Sequence, residues 1–205
     1  MVASPQYLTP EAYLHLEAES PVKHEYFGGE VYAMAGASDV HVTIAGNLFA
    51  MLRSHVRGTG CRVYISDMKA RIEARDRFFY PDVMVTCDPR DQETADYKRF
   101  PKLVVEVLSA STEAFDRGDK FADYQTLESL EEYVLINTRH QRVECFRRNE
   151  AGLWVLQFYM IETAVPETAG SETATFCLES IGFSDTIAAL YEDVTLEASE
   201  DIAES

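Results

Sequence analysis

The 205-residue sequence predicts an α/β (α+β) fold, a central sheet of mixed direction flanked by a few helices. Three observations predict it. Short runs rich in Val, Ile, Tyr and Phe recur between Arg62 and Met160 with turn residues between them. One long segment, Val40 to Val56, repeats an apolar residue at every fourth position. A second helical segment, Phe115 to Leu127, leads directly into another strand-like run.

The elements follow in order. Thr9-Pro10-Glu11 has the form of an N-cap, a proline at the first helical position and an acid at the positive helix end, which predicts a short helix over 10–18. His24-Glu25-Tyr26-Phe27 and Glu30-Val31-Tyr32-Ala33-Met34 face each other across Gly28-Gly29, a hairpin signature. Ser38 caps the longest helix, whose apolar positions are Val40, Ile44, Leu48, Leu52 and Val56 and whose pattern ends at Gly58 and Gly60. Strands are expected at 62–65, 68–73, 78–86 and 103–108, with a polar loop over 88–101. After the helix at 115–127 come strands at 133–137, 142–147 and 154–160, the last two joined by Asn149-Glu150-Ala151-Gly152.

A chain of this length buries roughly 70% of the surface its unfolded form exposes, so a single domain over 1–191 is expected. Thirty-five acids against 18 bases leave a formal charge of −17. The imbalance is uneven: all 18 bases lie before position 161 beside 24 acids, and residues 161–205 hold 11 acids and no base. Residues 192–205, short, acidic and poor in aromatics, read as a mobile C-terminal tail. No apolar run reaches the roughly 18 residues of a membrane span, and residues 1–7 lack the features of a signal peptide, so a cytoplasmic protein with no membrane partner is expected. Cys61, Cys87, Cys145 and Cys177, spaced by 26, 58 and 32 positions, match neither a zinc knuckle nor a small disulfide scaffold and read as free thiols.

Gly-x-Ser-x-Gly, Gly-x4-Gly-Lys-Ser/Thr and Gly-x-Gly-x-x-Gly are all absent, which removes most covalent hydrolases and nucleotide-fold enzymes. The five histidines have no metal-ligand spacing; His41, at a helix start, is the least ordinary of them. The carboxylates are more informative. Glu106 interrupts Leu103-Val104-Val105-Glu106-Val107-Leu108, a run that reads as a strand covered on both faces. A carboxylate there is desolvated unless something compensates it: a bound cation, a buried arginine, or an edge position that restores water. Asp82 stands after Pro81 at the head of a second apolar run. Two such acids on separate strands are the ligands that a hard cation takes, usually one or two carboxylates completed by water and substrate phosphate.

Pro81-Asp82, Glu106-Val107-Leu108-Ser109 and Asp116-x3-Lys120-x3-Tyr124, with His24 to Glu30 before them and Glu132-Tyr133-Val134-Leu135 after, resemble the Uma-two family of endonucleases. That family resembles the restriction-endonuclease-like, PD-(D/E)XK, superfamily, and the likeness runs from about Tyr7 to Tyr191. The resemblance implies a restriction-endonuclease-like mixed central sheet, a divalent-metal site for Mg²⁺ or Mn²⁺, and hydrolysis of phosphodiester bonds in DNA. It makes Asp82 and Glu106 the metal-binding acids, the main-chain carbonyl of Val107 a further ligand, and Glu25 the upstream acid near the metal. Leu108 stands where the superfamily has its lysine, and Lys120 on the following helix is the substitute the resemblance offers. Read from spacing alone, Asp116 and Lys120 are also an ordinary i,i+4 pair, worth about 0.2–0.5 kcal/mol.

The expected enzyme is therefore a metal-dependent endonuclease acting on DNA with a metal-activated water, working as a homodimer because two strands need two sites. Leu108 and the acidic surface favour an alternative, a catalytically inactive nuclease-like binding or regulatory module. A hydrolase of small phosphodiesters is a third reading. Since affinity for nucleic acid comes mostly from Lys and Arg, binding is expected to rest on the metal and on two basic clusters, Arg71, Arg75, Arg77 and Lys98, Arg99, Lys102.

Overall fold

The computed structural model describes residues 7–161 and 174–196. The first helix, α1 (Pro10–Glu19), begins where Thr9 accepts the Ala12 N–H at 3.2 Å. A hairpin of β1 (His24–Phe27) and β2 (Glu30–Ala33) turns through Gly28 and Gly29 at φ of 53° and 107°, values that L side chains avoid. The long helix α2 (Asp39–His55) starts from Ser38, whose hydroxyl accepts the His41 N–H. Then follow β3 (Arg62–Ile65), β4 (Lys69–Ile72), β5 (Arg77–Phe79), β6 (Val83–Thr86), β7 (Tyr97–Lys98) and β8 (Pro101–Val107). Two short helices, α3 (Glu113–Arg117) and α4 (Asp119–Tyr124), lead to β9 (Glu132–Ile136), β10 (Arg142–Arg148) and β11 (Trp154–Met160). The hairpin of β12 (Thr175–Leu178) and β13 (Phe183–Thr186), with α5 (Ile187–Leu190), closes the described chain.

The main sheet has the order β11-β10-β9-β8-β6-β3. Its one parallel pair is β8 with β9, joined through α3 and α4; every other neighbour is antiparallel. A second sheet, β2-β1-β5-β4-β7, lies beside it. Alternation along β8 divides the interior in two. Leu103, Val105 and Val107 join Ile44, Leu48 and Leu52 of α2 and Leu190 of α5 in one core. Val104 and Leu108 join Phe121 and Tyr124 of α4, and Ala70, Ile72 and Phe79 of the second sheet, in the other. Glu106 shares the face of this second core.

The mixed α/β (α+β) architecture agrees with the sequence; several details differ. The run 78–86 is two strands in two sheets, because Pro81 has no N–H to continue the ladder. The helix expected over 115–127 is broken at Gly118, whose ψ of −102° leaves the helical region. The loop 88–101 contains β7, which pairs in parallel with β4.

Cys61 and Cys87 are not free thiols but a disulfide. They flank β3 and β6 one step beyond the Arg62 and Thr86 pair, so the antiparallel register brings them opposite each other with Cα atoms 4.0 Å apart. Spacing in sequence does not reveal a register, and only Cys145 and Cys177 remain free. Contacts with α2 continue past Tyr191. Asn47 donates to the carbonyls of Leu190 and Glu192 at 3.1 and 2.8 Å, and Val194 and Leu196 pack on the α2 core. Residues 192–196 of the expected tail are described with these contacts, and 197–205 lie outside the described residues.

Candidate functional site

The register of β6 and β8 runs Val83 with Val105 and Met84 with Val104, so one step further Asp82 stands opposite Glu106. Pro81 ends the ladder of the second sheet, and Asp82 enters the main sheet with its carbonyl accepting the Ser66 N–H at 3.1 Å. Its side chain is held at both oxygens. Oδ2 accepts the Val107 N–H at 2.8 Å, and Oδ1 lies 2.9 Å from Nε2 of His41 at the start of α2.

Glu106 is buried in the middle of the sheet, facing α4. Lys120, also buried, sends its ammonium back to it: Nζ lies 2.9 Å from Glu106 Oε1, 3.4 Å from Glu25 Oε1 and 3.5 Å from Asp116 Oδ1. Glu25 reaches the cluster from β1, and the Tyr80 N–H donates to its Oε1 at 3.3 Å. Burial holds the Glu106 carboxyl well above the usual range; Lys120 opposes this, while the charges of Asp116 and Asp82 add to it. For Lys120 burial acts the other way, and the surrounding Glu106, Glu25, Tyr124 and Asp116 outweigh it, so the lysine keeps its proton.

The residues singled out in the sequence therefore converge: Asp82 and Glu106 on adjacent strands, Glu25 from the second sheet and Lys120 from α4. Glu106 is compensated by a lysine rather than an arginine, and its strand is central rather than an edge. Val107 contributes its N–H to Asp82. Asp116 and Lys120 are an i,i+4 pair, but a buried one within a larger cluster. Two members were not given roles from sequence. His41 carried only its helix-start position as a signal. The Tyr124 hydroxyl, buried without a hydrogen-bond partner among the described residues, had none beyond its place one turn after Lys120.

The donor set suits a hard cation held partly by water and substrate. No group of three or more His, Cys, Asp or Glu side chains among the described residues is placed to hold a metal ion by itself. What the cluster offers is two opposed carboxylates, with Glu106 Oε1 buried and lacking a directed hydrogen bond despite the nearby ammonium.

The expected basic clusters are corrected by their pairing. Arg71 binds Asp76, Arg75 and Arg77 bind Asp123, Arg99 lies near Glu73 and Glu93, and Lys102 near Glu131. Lys98 is buried and donates to the carbonyls of Asp91 and Thr94. Neighbouring acids fold onto these side chains, a pairing that composition does not show.

The chain is thus an α+β protein with a mixed sheet, acids on adjacent strands and a lysine from the crossover helix. A solved structure from Anabaena variabilis, described as a "putative nuclease belonging to DUF820", has the same fold: TM-score 0.69, 16% identity, covering 90% of this chain and 97% of that one. Residues 10–175 match the Uma2 family model, described as "Putative restriction endonuclease", and the chain belongs to that family. Two uncharacterized proteins of Synechocystis sp. are similar along most of their length. For slr1290 the identity is 37%, covering 90% of this chain and 91% of the relative; for sll1609 it is 34%, covering 80% and 94%. No helix of the described residues is long and apolar enough to cross a membrane.

Proposed function

We propose that the protein is a divalent-metal-dependent endonuclease that hydrolyses phosphodiester bonds of DNA. One observation supports this most: three carboxylates, Glu106, Glu25 and Asp116, gather around a single ammonium while Asp82 adds its charge beside Glu106, an excess of negative charge that asks for a cation. Asp82 and Glu106, with the Val107 carbonyl, would hold Mg²⁺ or Mn²⁺, and Glu25 would stand beside a second ion. When bound, such an ion lowers the pKa of a coordinated water and offsets charge on the phosphate.

The chain's own groups have separate tasks. The Val107 N–H and His41 fix both oxygens of Asp82, so the carboxylate is oriented before any ligand arrives. Lys120 keeps its proton and places positive charge beside Glu106, where it stabilises negative charge growing on the scissile phosphate. Its place there supplies the charge that Leu108 cannot.

We also propose a homodimer, so that both strands of a duplex meet a site. Its supporting surface is β11, an edge strand of the main sheet with Leu156, Phe158 and Met160 exposed in one row. The test of the enzymatic reading is nicking of supercoiled plasmid by the full chain with Mg²⁺, with Mn²⁺ and with EDTA, beside calorimetric titration of Mn²⁺. Metal binding and metal-dependent nicking, both lost in Asp82→Asn, are expected. A small diester substrate, bis(p-nitrophenyl) phosphate, turned over while DNA is not, would favour the small-phosphodiester reading instead.

A further inference from the structure

Nearly every cation in this acidic protein is already paired, and the exceptions cluster. Among the described residues Lys69 lies over the Tyr80 ring, Lys98 and Arg148 donate to backbone carbonyls, and Lys120 belongs to the buried cluster. Arg53, Arg57 and Arg62 are the described cations with no carboxylate, carbonyl or aromatic partner. All three are exposed and lie within ten residues of one another. Leaving three arginines free in a chain of charge −17 is notable, because surplus acids elsewhere fold onto the available bases.

Two of the three face a single hollow. A cavity of about 500 Å³ is lined by Arg53 at the end of α2, Gly58 and Gly60 in the following loop, Arg62 and Tyr64 on β3, and Gln92. No carboxylate lines it. Gly58 and Gly60 sit at φ of 81° and 89°, so the loop turns tightly without side chains and leaves its backbone open. The Cys61–Cys87 disulfide ties the end of this loop to β6 and holds Arg62 in place.

The hollow stands at a defined distance from the candidate site. Arg53 is twelve residues along α2 from His41, about 18 Å at 1.5 Å per residue. Arg62 pairs with Thr86, four residues beyond Asp82 on β6, about 13 Å at 3.3 Å per residue.

We propose that Arg53 and Arg62 form a backbone anchor that binds a phosphate of the nucleic-acid substrate away from the bond to be cut. The proposal rests on the nuclease reading for its ligand, while anchoring does not require turnover. It also gives the acidic chain a local surface that attracts a polyanion.

Anisotropy of a fluorescein-labelled 20-base-pair duplex with the full chain in EDTA measures binding without cleavage. The double variant Arg53→Gln/Arg62→Gln is expected to bind more weakly, with the slope of log K against log salt reduced by about 0.9, the value for one lost phosphate contact. Arg148→Gln, whose guanidinium is already bonded to carbonyls, is expected to keep the wild-type slope. Because both arginines are exposed, far-ultraviolet circular dichroism of the double variant should match wild type.

An unchanged slope in the double variant, or no duplex binding by wild type, overturns the anchor. So does calorimetric binding of inorganic phosphate to wild type but not to the variant while both bind the duplex with the same slope, which marks a site for a free anion. Loss of binding by the double variant while wild type cleaves nothing with any metal keeps the anchor and removes the catalytic reading.

Discussion

The Lys120 ammonium lies closer to Glu106, at 2.9 Å across the sheet, than to Asp116, its own helical neighbour one turn back, at 3.5 Å. The lysine therefore serves the strand rather than the helix. Exposed i,i+4 pairs contribute only tenths of a kcal/mol; a buried ammonium among several carboxylates is another matter, since its removal leaves their charges without an opposite.

Stability measurements should separate the two partners. Lys120→Met is expected to cost about 3–5 kcal/mol in urea unfolding, because it strands buried carboxylates. Glu106→Gln removes the charge that burial already disfavours, so its unfolding free energy in EDTA should stay within about 1 kcal/mol of wild type or rise. Equal, small effects for both would show that the cluster is not coupled as described.

His41 should tune metal affinity without being a ligand. Its ring holds Asp82 Oδ1 at 2.9 Å, so His41→Ala is expected to weaken Mn²⁺ binding by about 10–100-fold in calorimetry. His41→Gln, which can still donate to Asp82, should recover part of the loss. Unaltered affinity in His41→Ala would detach this residue from the site.

Cysteine labelling checks the disulfide and the core together. Burial pushes the Cys145 thiol up to about 12, so at pH 8 iodoacetamide should modify Cys177 in the native protein and spare Cys145. Unfolding without reductant should expose two reactive thiols, and unfolding after reduction four, counted by mass spectrometry. Cys61→Ser, which opens a loop of 26 residues, is expected to lower stability by about 2–4 kcal/mol.

The outer edge of β11 gives the oligomer prediction. Light scattering after size exclusion should give twice the 23.1 kDa of the chain for wild type and a single chain mass for Phe158→Glu. A monomeric wild type would require some other route to cutting both strands.

Much of this site is legible in sequence because burial makes a charge conspicuous. Glu106 stands out among five apolar neighbours, and Asp82 after a proline, where local structure does not ask for an acid. Helix caps at Thr9 and Ser38 and the Gly28-Gly29 turn are equally local, and they appear where expected. What depends on register or tertiary contact was not legible. The Cys61–Cys87 pairing follows from β3 lying on β6, and His41 meets Asp82 only when α2 packs on the sheet. The pairing of Arg71, Arg75, Arg77, Arg99 and Lys102 with nearby acids likewise depends on folded geometry. Separation of β5 from β6 follows from Pro81, a local signal, yet the two sheets they enter are defined by partners far along the chain.

The most direct test of the central claim is Mn²⁺-dependent nicking of supercoiled plasmid by wild type, Asp82→Asn and Lys120→Arg at equal folded concentration. Wild type is expected to nick the plasmid and to stop in EDTA, with nicking at least a hundredfold lower in Asp82→Asn and partly retained in Lys120→Arg, which keeps the positive charge. Nicking by Asp82→Asn at the wild-type rate would contradict the claim.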